Sequence, residues 1–214
     1  MFSPTQECEL FVSNAAVMGV DLDVPQAQQL RRLLDELEKW NQAYNLTALG
    51  TRDEWITHHL LDSLSIAPML AGKRIADVGT GAGFPGLPLA VLRPDRAFTL
   101  IDSNGKKIRF VRHAVRTLGL TNVIAQQERA ENLHPAERFD TVIARACAAL
   151  PELAGWVRGL CGPETRVLAM KGRRPDDELA ALERSLWQVT GVAPLRVPGL
   201  NAERHVVTLV PRGL

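Results

Sequence analysis

The chain has 214 residues, of which 46% are hydrophobic, and its formal net charge is +1. These values suit one sizeable α/β domain with a small appendage, and they exclude a chain too polar to fill a core. No apolar run approaches the roughly 20 residues of a membrane span, and the N-terminus lacks the pattern of a signal peptide. The three cysteines, Cys8, Cys147 and Cys161, lie far apart. They indicate reduced thiols in a cytoplasmic protein and exclude a disulfide framework or a zinc site.

Positive and negative charges are divided unevenly along the chain. Residues 1–70 carry 4 Lys/Arg and 10 Asp/Glu, whereas residues 71–214 carry 21 Lys/Arg and 14 Asp/Glu. An acidic first third and a basic remainder indicate an anionic partner for the basic part. The same distribution of charge is also compatible with side chains that are simply solvated and bind no partner. Charge alone therefore leaves both interpretations open.

The N-terminal third is predicted to be helical. An N-cap serine and a C-terminal glycine bound a first helix over residues 4–18. A second helix follows Pro25, where apolar side chains recur at helical spacing and are expected to be core. These are Leu30, Leu33, Leu34, Leu37, Trp40 and Tyr44. The capping box Thr51-x-x-Glu54 opens a third helix that is predicted to run to about Ala67.

Two adjacent histidines, His58 and His59, lie on the third predicted helix. Their side chains point about 100° apart, so they are poor joint metal ligands, and no metal is expected. We expect one of them to pack against the protein while the other, with Asp62, faces the mouth of a crevice.

Strands and helices alternate from residue 74 onward, which predicts a parallel sheet with helices on both faces. The predicted strands are 74–78, 97–102, 122–125, 139–143 and 166–170, and the predicted helices are 85–92, 104–118, 150–160 and 176–186. Two further strands, 188–197 and 205–210, are joined by so short a loop that only an antiparallel hairpin fits. The fold class is therefore α/β, with a mostly parallel seven-stranded sheet and an antiparallel end strand. A helical extension, residues 1–70, precedes the main domain, residues 71–214.

A glycine-rich stretch follows the first predicted strand, and the rest of the chain is organised around it. Asp77 lies in that strand, Gly79, Gly81 and Gly83 break it, and an apolar helix is predicted to begin at Pro85. Glycines allow a tight turn and the close approach of a ligand, and the helix N-terminus offers free N–H groups. Strand, glycine turn and helix together predict a nucleotide-binding crevice.

Two ligand classes fit this stretch. The dinucleotide fingerprint GxGxxG begins at Gly81 and would use Asp102 for a ribose hydroxyl. The alternative frame, Asp77 followed by alternate glycines, is similar to the first motif of methyltransferases that use S-adenosylmethionine (SAM). That frame explains one residue more, because Asp77 lies beside the crevice, can reach the amino group of a methionine moiety directly or through water, and would repel a pyrophosphate. A glycine turn without a ligand is the remaining alternative.

Polar side chains end several predicted strands, where ligands bind in open α/β sheets. Asp102 is expected to bind ribose hydroxyls, and the segment Arg129-Ala130-Glu131 lies where an adenine would. Arg145 and Lys171 end two adjacent strands and face the expected methyl donor. We therefore expect these two cations to hold the substrates and to be the catalytic residues.

The chain lacks residues that two common methyl-transfer reactions require. It has no Pro-Pro-aromatic turn for an exocyclic amine and no cysteine after a proline for attack at cytosine C5, so Cys147 is expected to be structural. What remains is an acceptor that is already nucleophilic, such as guanine N7, which loses no proton and needs alignment rather than a base. Cationic side chains would hold its phosphate and the O6 atom beside N7.

Further basic residues are candidates for binding RNA. Arg173 and Arg174 follow Lys171, and Arg204-His205 enters the last strand. Five more are divided between the faces of the helix after the second strand: Lys106, Lys107, Arg109, Arg112 and Arg116. Aromatic residues make up only 5% of the chain, so a structured RNA held through its backbone fits better than an extended stacking platform.

Several short motifs together resemble the ribosomal small-subunit RNA methyltransferase G family, also called glucose-inhibited division protein B. The resemblance runs from about residue 20 to the end. Its markers are Trp40-Asn41, Tyr44-Asn45-Leu46-Thr47, His59 with Asp62-Ser63, Asp77 to Gly86, Arg145-Ala146, Lys171-Gly172 and Glu203-Arg204-His205. Ala144 and Met170 stand where the family often has Ser and Leu, and both departures are mild.

The resemblance implies an enzyme that uses SAM to methylate N7 of one guanine in the decoding-region loop of 16S ribosomal RNA. It implies that Gly79, Phe84, Ala130, Glu131 and Arg145 contact SAM. It also implies that Arg129, Lys171, Arg204 and His205 lie near the acceptor. The expected partner is 16S ribosomal RNA or the 30S subunit, with no membrane involved, and the protein is expected to be a monomer.

Two other functions stay open at this point. One is an NAD-dependent oxidoreductase, which titration with SAM against NAD would separate from a methyltransferase. The other is an assembly factor that binds SAM and RNA without turnover, which labelled methyl transfer to ribosomal RNA would identify.

Overall fold

A computed structural model describes residues 3–183 and 185–213 of the chain. Its strands are β1 (Arg74–Val78), β2 (Ala97–Asp102), β3 (Val123–Gln127), β4 (Phe139–Arg145), β5 (Cys161–Lys171), β6 (Trp187–Pro194) and β7 (His205–Pro211). They form one sheet in the order β3-β2-β1-β4-β5-β7-β6. The first five strands pair in parallel, whereas β7 is antiparallel to both β5 and β6. The predicted mixed sheet is confirmed, and its antiparallel strand lies between β5 and β6.

The helices follow the predicted order with shifted ends. They are α1 (Pro4–Val17), α2 (Val24–Tyr44), α3 (Arg52–Glu54), α4 (Asp62–Leu64), α5 (Gly86–Leu92), α6 (Gly105–Leu118), α7 (Leu150–Val157) and α8 (Asp176–Leu182). A π-helical stretch, Trp55–Leu61, joins α3 to α4, so the third predicted helix is one helical run that ends before Ala67. The helix predicted over 176–186 ends at Leu182, and residue 184 lies outside the described residues.

Capping boxes explain where three N-terminal helices begin. Ser3, Asp23 and Thr51 each accept the backbone N–H of the residue three positions later, whose side chain in turn accepts the N–H of the cap. Such a cap contributes typically about 1 kcal/mol. At its other end α2 stops at Asn45, which has a left-handed backbone conformation with φ of 50°. Local sequence therefore determines both ends of this helical region.

Alternate residues of the central strands point to opposite faces of the sheet, and each face has its own core. Ile75 and Leu168 pack with side chains of α1, α2, α5 and α6, whereas Ala76 and Ala169 pack with those of α7. The N-terminal helices thus share one hydrophobic core with the sheet. The division of the chain into residues 1–70 and 71–214 remains a prediction. Residues 1, 2, 184 and 214 in these two ranges lie outside the described part.

In the part of the chain that the structure describes, no helix combines the length and the apolar character needed to cross a membrane.

Candidate functional site

The glycine-rich loop connects β1 to α5 at the carboxyl end of the sheet. Gly79, Gly81 and Gly83 have φ of 69°, 61° and 88°, which residues with a side chain rarely adopt. Gly79 and Gly81 line the larger of two cavities described below. A Cβ atom on Gly83 would lie 2.3 Å from Leu87, so Gly83 permits the packing of loop against helix, and it lines neither cavity. The contact of Gly83 with a ligand therefore stays a prediction.

Asp77 lies in the protein interior behind this loop. Its side chain is fully buried, and its Oδ2 atom accepts hydrogen bonds from the Thr80 hydroxyl at 2.6 Å and the Gly86 N–H at 2.8 Å. The Oδ1 atom has no hydrogen-bond partner among the described residues. Burial raises the pKa of Asp77 to about 6. Asp77 lines neither cavity and instead orders the loop, so its contact with a ligand, directly or through water, stays a prediction.

Asp102, at the end of β2, lies where the sequence predicts a ribose-binding carboxylate. Its Oδ2 atom accepts the Gly81 N–H at 2.9 Å, and its Oδ1 atom accepts the Asn104 N–H at 2.8 Å. A carboxylate offers about four lone-pair sites, so both oxygens keep capacity for further donors. Asp102 lines both cavities and is thus available to a ligand that extends from one into the other.

Two cavities open at the carboxyl ends of the strands, and Gly79, Asp102 and Cys147 line both. The larger has a volume of about 650 Å³, within the usual range for small-molecule sites. The smaller has a volume of about 210 Å³ and is lined by residues 129–131, the segment predicted to surround an adenine. The two volumes together accommodate a nucleotide-sized ligand and a second molecule beside it.

Asp62 binds two arginines at the larger cavity. Its Oδ2 atom lies 3.0 Å from Nη1 of Arg145, and its Oδ1 atom lies 3.1 Å from Nε of Arg204. The Asp62 side chain is only 2% exposed, and those of Arg145 and Arg204 are 18% and 21% exposed. One carboxylate of the N-terminal helical run therefore holds two predicted site cations, one from the end of β4 and one from just before β7.

Arg145 also determines the position of His59. Its Nη1 donates to the His58 carbonyl oxygen at 2.9 Å, and its Nη2 lies 3.3 Å from Nδ1 of His59. The His59 ring stacks on Phe84, with 4.8 Å between centroids and 18° between planes. Burial, with the nearby Arg145 charge, lowers the pKa of His59 to about 3, so its ring is neutral. Both histidines line the larger cavity with Asp62, although the sequence predicted only one there.

Lys171 ends β5 and lines the larger cavity, as the sequence predicts. Its Nζ atom donates to the Ala148 carbonyl oxygen and to Oε2 of Glu178, both at 2.8 Å. The same Glu178 oxygen accepts the Leu150 N–H at 2.6 Å, at the start of α7. Sequence reasoning missed Glu178, because an acidic residue in the first turn of a helix is normally explained by the helix dipole alone.

Eight other residues predicted to bind RNA or substrate do not line the larger cavity, and four of them lie on α6: Lys106, Arg109, Arg112 and Arg116. Arg129 lies at the smaller cavity with its side chain 71% exposed. Arg173 and Arg174 are exposed and line neither cavity. The Nδ1 atom of His205 lies 3.2 Å from a backbone carbonyl oxygen, outside both cavities. The structure therefore groups Lys171 with Arg204 and separates both from Arg129.

The larger cavity also contains Lys107, one of the predicted RNA-binding residues, and side chains to which the sequence assigned no ligand, among them Thr47 and Cys147. Burial raises the pKa of the Cys147 thiol to about 11, so the thiol is protonated near neutral pH and is not a thiolate nucleophile. Thr47 belongs to the sequence motif Asn45-Leu46-Thr47, and that pattern was the available signal for its importance.

Comparison with known proteins gives a consistent result along the chain. A family model described as rRNA small subunit methyltransferase G matches residues 26–207. A ribosomal RNA small subunit methyltransferase G of Nitrosococcus oceani is 50% identical over 92% of this chain and 91% of its own length. A protein of the same name from Pseudomonas syringae pv. tomato is 45% identical over 98% of both chains.

Two solved structures have a similar fold. A SAM-dependent methyltransferase from Aquifex aeolicus superposes with a TM-score of 0.58 and 19% identity, over 78% of this chain and 97% of that one. A SAM-dependent methyltransferase from Thiobacillus denitrificans, in complex with S-adenosyl-L-homocysteine, superposes with a TM-score of 0.54 and 14% identity. This match covers 82% of this chain and 98% of that one. These likenesses show the methyltransferase fold. Because the family model covers most of the chain, and relatives of 45% and 50% identity match nearly all of it, the chain belongs to the rRNA small subunit methyltransferase G family.

Proposed function

We propose that this protein transfers the methyl group of SAM to N7 of a guanine in 16S ribosomal RNA. The observation that carries the proposal is the pair of joined cavities at the strand ends. Gly79 and Asp102 line both cavities, and Arg145, Lys171 and Arg204 line the larger one. The names of the relatives supply the class of RNA, and the cavity supplies the residues that would hold donor and acceptor.

The residues at the junction fit SAM. Asp102 would accept the ribose hydroxyls, and Ala130 and Glu131 would surround the adenine in the smaller cavity. Gly79 and Gly81 line the larger cavity and carry no side chains, which would leave room for the methionine end. When bound, SAM supplies an electrophilic methyl group.

Phe84 and Arg145 would lie at the methionine end. Phe84 is buried and carries the His59 ring on one face, while the Arg145 guanidinium lies 6.0 Å from its ring centroid. Hydrogen bonds from Arg145 to the His58 carbonyl and Asp62 limit its movement. This part of the site is preorganised, which lowers the entropy cost of aligning two substrates.

An acceptor that needs no base fits the hydrogen bonding around Arg145. The Asp62 carboxylate is bound to two guanidinium groups. Both ring nitrogens of His59 are engaged, one with Arg145 and the other with the Thr47 hydroxyl. A guanine N7 has a free lone pair and loses no proton, so positioning is sufficient for its attack on the methyl group.

The cations of the larger cavity would attract the phosphate backbone beside that guanine. Lys107, Lys171 and Arg204 line the cavity. Arg173 and Arg174 lie further out, where they would extend the positive surface along the RNA. Arg129 and His205 would contact RNA only outside the larger cavity.

We also propose that the chain consists of a helical extension and a methyltransferase domain. A helical extension, residues 1–70, would complete one side of the acceptor site through Thr47 and Asp62. The methyltransferase domain, residues 71–214, would act as a monomer in the cytoplasm on 16S ribosomal RNA or on the 30S subunit.

The test is methyl transfer from labelled SAM to purified 16S RNA and to 30S subunits, both from cells that lack the activity. We expect label in one guanine, identified as 7-methylguanosine by nucleoside mass spectrometry. Label on C5 of cytosine or on an adenine amine would contradict the acceptor. Tight binding of SAM without transfer to either substrate would favour a non-catalytic assembly factor, and binding of NAD instead of SAM would favour an oxidoreductase.

A further inference from the structure

Thr47 lines the larger cavity from a loop that is held at two points. Its backbone N–H donates to Oδ1 of Asn41 at 2.9 Å. Two residues further on, the Leu49 carbonyl accepts the Trp55 indole N–H at 2.8 Å. The Thr47 Oγ1 atom lies 2.8 Å from Nε2 of His59 and accepts the Leu49 N–H at 3.2 Å. The hydroxyl oxygen is therefore fixed in place before any ligand binds.

The direction of the hydrogen bond between Thr47 and His59 follows from Arg145. A guanidinium group can only donate, so the His59 Nδ1 atom beside it must accept. The His59 ring is neutral and carries one hydrogen, which must then be on Nε2. His59 consequently donates through Nε2 to the Thr47 hydroxyl oxygen.

This direction leaves the Thr47 hydroxyl able to donate and unable to accept. A hydroxyl has two acceptor lone pairs and one hydrogen. The His59 Nε2–H and the Leu49 N–H occupy both lone pairs, and within residues 3–183 and 185–213 no acceptor takes the remaining hydrogen. A threonine hydroxyl ordinarily recognises either a donor or an acceptor on a base edge. Here the His59 side chain and the Leu49 backbone together remove that ambiguity.

We infer that the Thr47 hydroxyl donates a hydrogen bond to O6 of the methyl-accepting guanine and thereby excludes adenine from the site. The inference rests on the proposed function. On the edge that carries N7, guanine presents the O6 acceptor where adenine presents an N6 amino donor. A hydroxyl that can only donate satisfies O6 and opposes the amino group.

His59 and Arg145 are therefore positioning residues for base specificity. Arg145 determines which nitrogen of His59 is protonated, and His59 determines which way the Thr47 hydroxyl bonds. Asp62 holds Arg145 in the orientation that this requires. Specificity for guanine would thus depend on a chain of hydrogen bonds from a buried carboxylate to the base.

The test compares wild-type protein and Thr47→Val on two RNAs, with guanine or 2-aminopurine at the position that mass spectrometry identifies. 2-Aminopurine keeps N7 and lacks O6. We expect Thr47→Val to lower kcat/KM about 10- to 100-fold on guanine RNA, the range of one base-edge contact, and to have little effect on 2-aminopurine RNA. Thr47→Ser, which keeps the hydroxyl, should restore most of the loss. Thr57→Val removes a hydroxyl that bonds only to the helix backbone and should match wild type.

Equal proportional losses on both RNAs would overturn the inference, because a purely structural or phosphate-binding role does not depend on O6. A weakened SAM affinity in Thr47→Val with an unchanged KM for RNA would also overturn it, by assigning the hydroxyl to the cofactor. Wild-type protein that forms no 7-methylguanine on guanine RNA would defeat the proposed function itself and the inference with it.

Discussion

Asp62 and Arg204 are 142 positions apart in the chain, yet Oδ1 of Asp62 lies 3.1 Å from Nε of Arg204. The other oxygen of the same carboxylate binds Arg145 at 3.0 Å. Two guanidinium groups on one carboxylate leave an excess positive charge at the cavity, which suits an anionic substrate. The carboxylate itself is almost completely buried, so the contact is structural as well as electrostatic.

Replacing Asp62 should destabilise the protein. Asp62→Asn leaves two neighbouring guanidinium groups without their counter-charge. Loss of one partner of a buried ion pair costs about 3–5 kcal/mol, and the partial exposure of both arginines places this change near the lower end. Urea denaturation measures the difference. Asp176→Asn is the matched control, because it breaks an exposed pair with Arg174 and should leave stability almost unchanged. Equal stabilities of the two variants would refute the role given to Asp62.

Gly81→Val should abolish SAM binding. Gly81 has φ of 61° and lines the larger cavity, so a β-branched side chain adds backbone strain and occupies the ligand's approach. Calorimetry should show micromolar SAM affinity in wild type, about −8 kcal/mol, and no measurable binding in the variant.

Gly119→Val separates the two contributions to that loss. Gly119 has φ of 66° at the end of α6 and lines neither cavity. The Gly119→Val protein should therefore have the same backbone strain and keep its affinity for SAM. If both valine variants lose SAM to the same degree, unfolding rather than obstruction is responsible.

Asp77→Asn should remove a pH dependence of folding stability. Burial raises the pKa of Asp77 from 3.8 to about 6. Its contribution to stability is full below pH 4 and declines as pH rises through 6, by about 3 kcal/mol in total. Asparagine imitates the neutral acid and can still accept from Thr80 and Gly86 through its oxygen. The variant should therefore be more stable than wild type above pH 6.

Denaturation curves between pH 4 and 8 test this sign. The control is Asp95→Asn, which removes a surface carboxyl whose pKa Arg93 lowers, so its slope between pH 4 and 6 should match that of wild type. A wild-type slope retained in Asp77→Asn would show that other groups cause the dependence.

Lys171→Ala and Arg145→Ala should both lower turnover, by about 100-fold or more, through misplacement of the acceptor and donor. Lys171 ends β5 on the RNA side of the proposed site, so its loss should leave SAM affinity nearly unchanged, whereas loss of Arg145 should weaken it. Single-turnover methyl transfer and SAM titration separate these effects. Lys73→Ala, an exposed lysine before β1, should behave as wild type. Full activity in both Lys171→Ala and Arg145→Ala would mean that the two side chains are only solvated charges.

The sequence by itself was sufficient for features that depend on near neighbours. Alternating strands and helices, capping boxes and the spacing of Gly79, Gly81 and Gly83 are local patterns, and each predicted its element closely. Asp102, Arg145 and Lys171 were correctly placed at the cavity because parallel strands end at one edge of a sheet. The short final loop was enough to predict that β6 and β7 form an antiparallel hairpin.

Tertiary structure alone decided which polar groups bind each other. Asp77 was expected at the crevice, but the packing of the loop on α5 encloses it. The pairing of Lys171 with Glu178 depends on where α8 packs, and the protonation of His59 depends on Arg145, 86 positions away. The physical reason is that hydrogen bonds extend only about 3 Å, so partners distant in sequence are determined by how the helices and strands pack together.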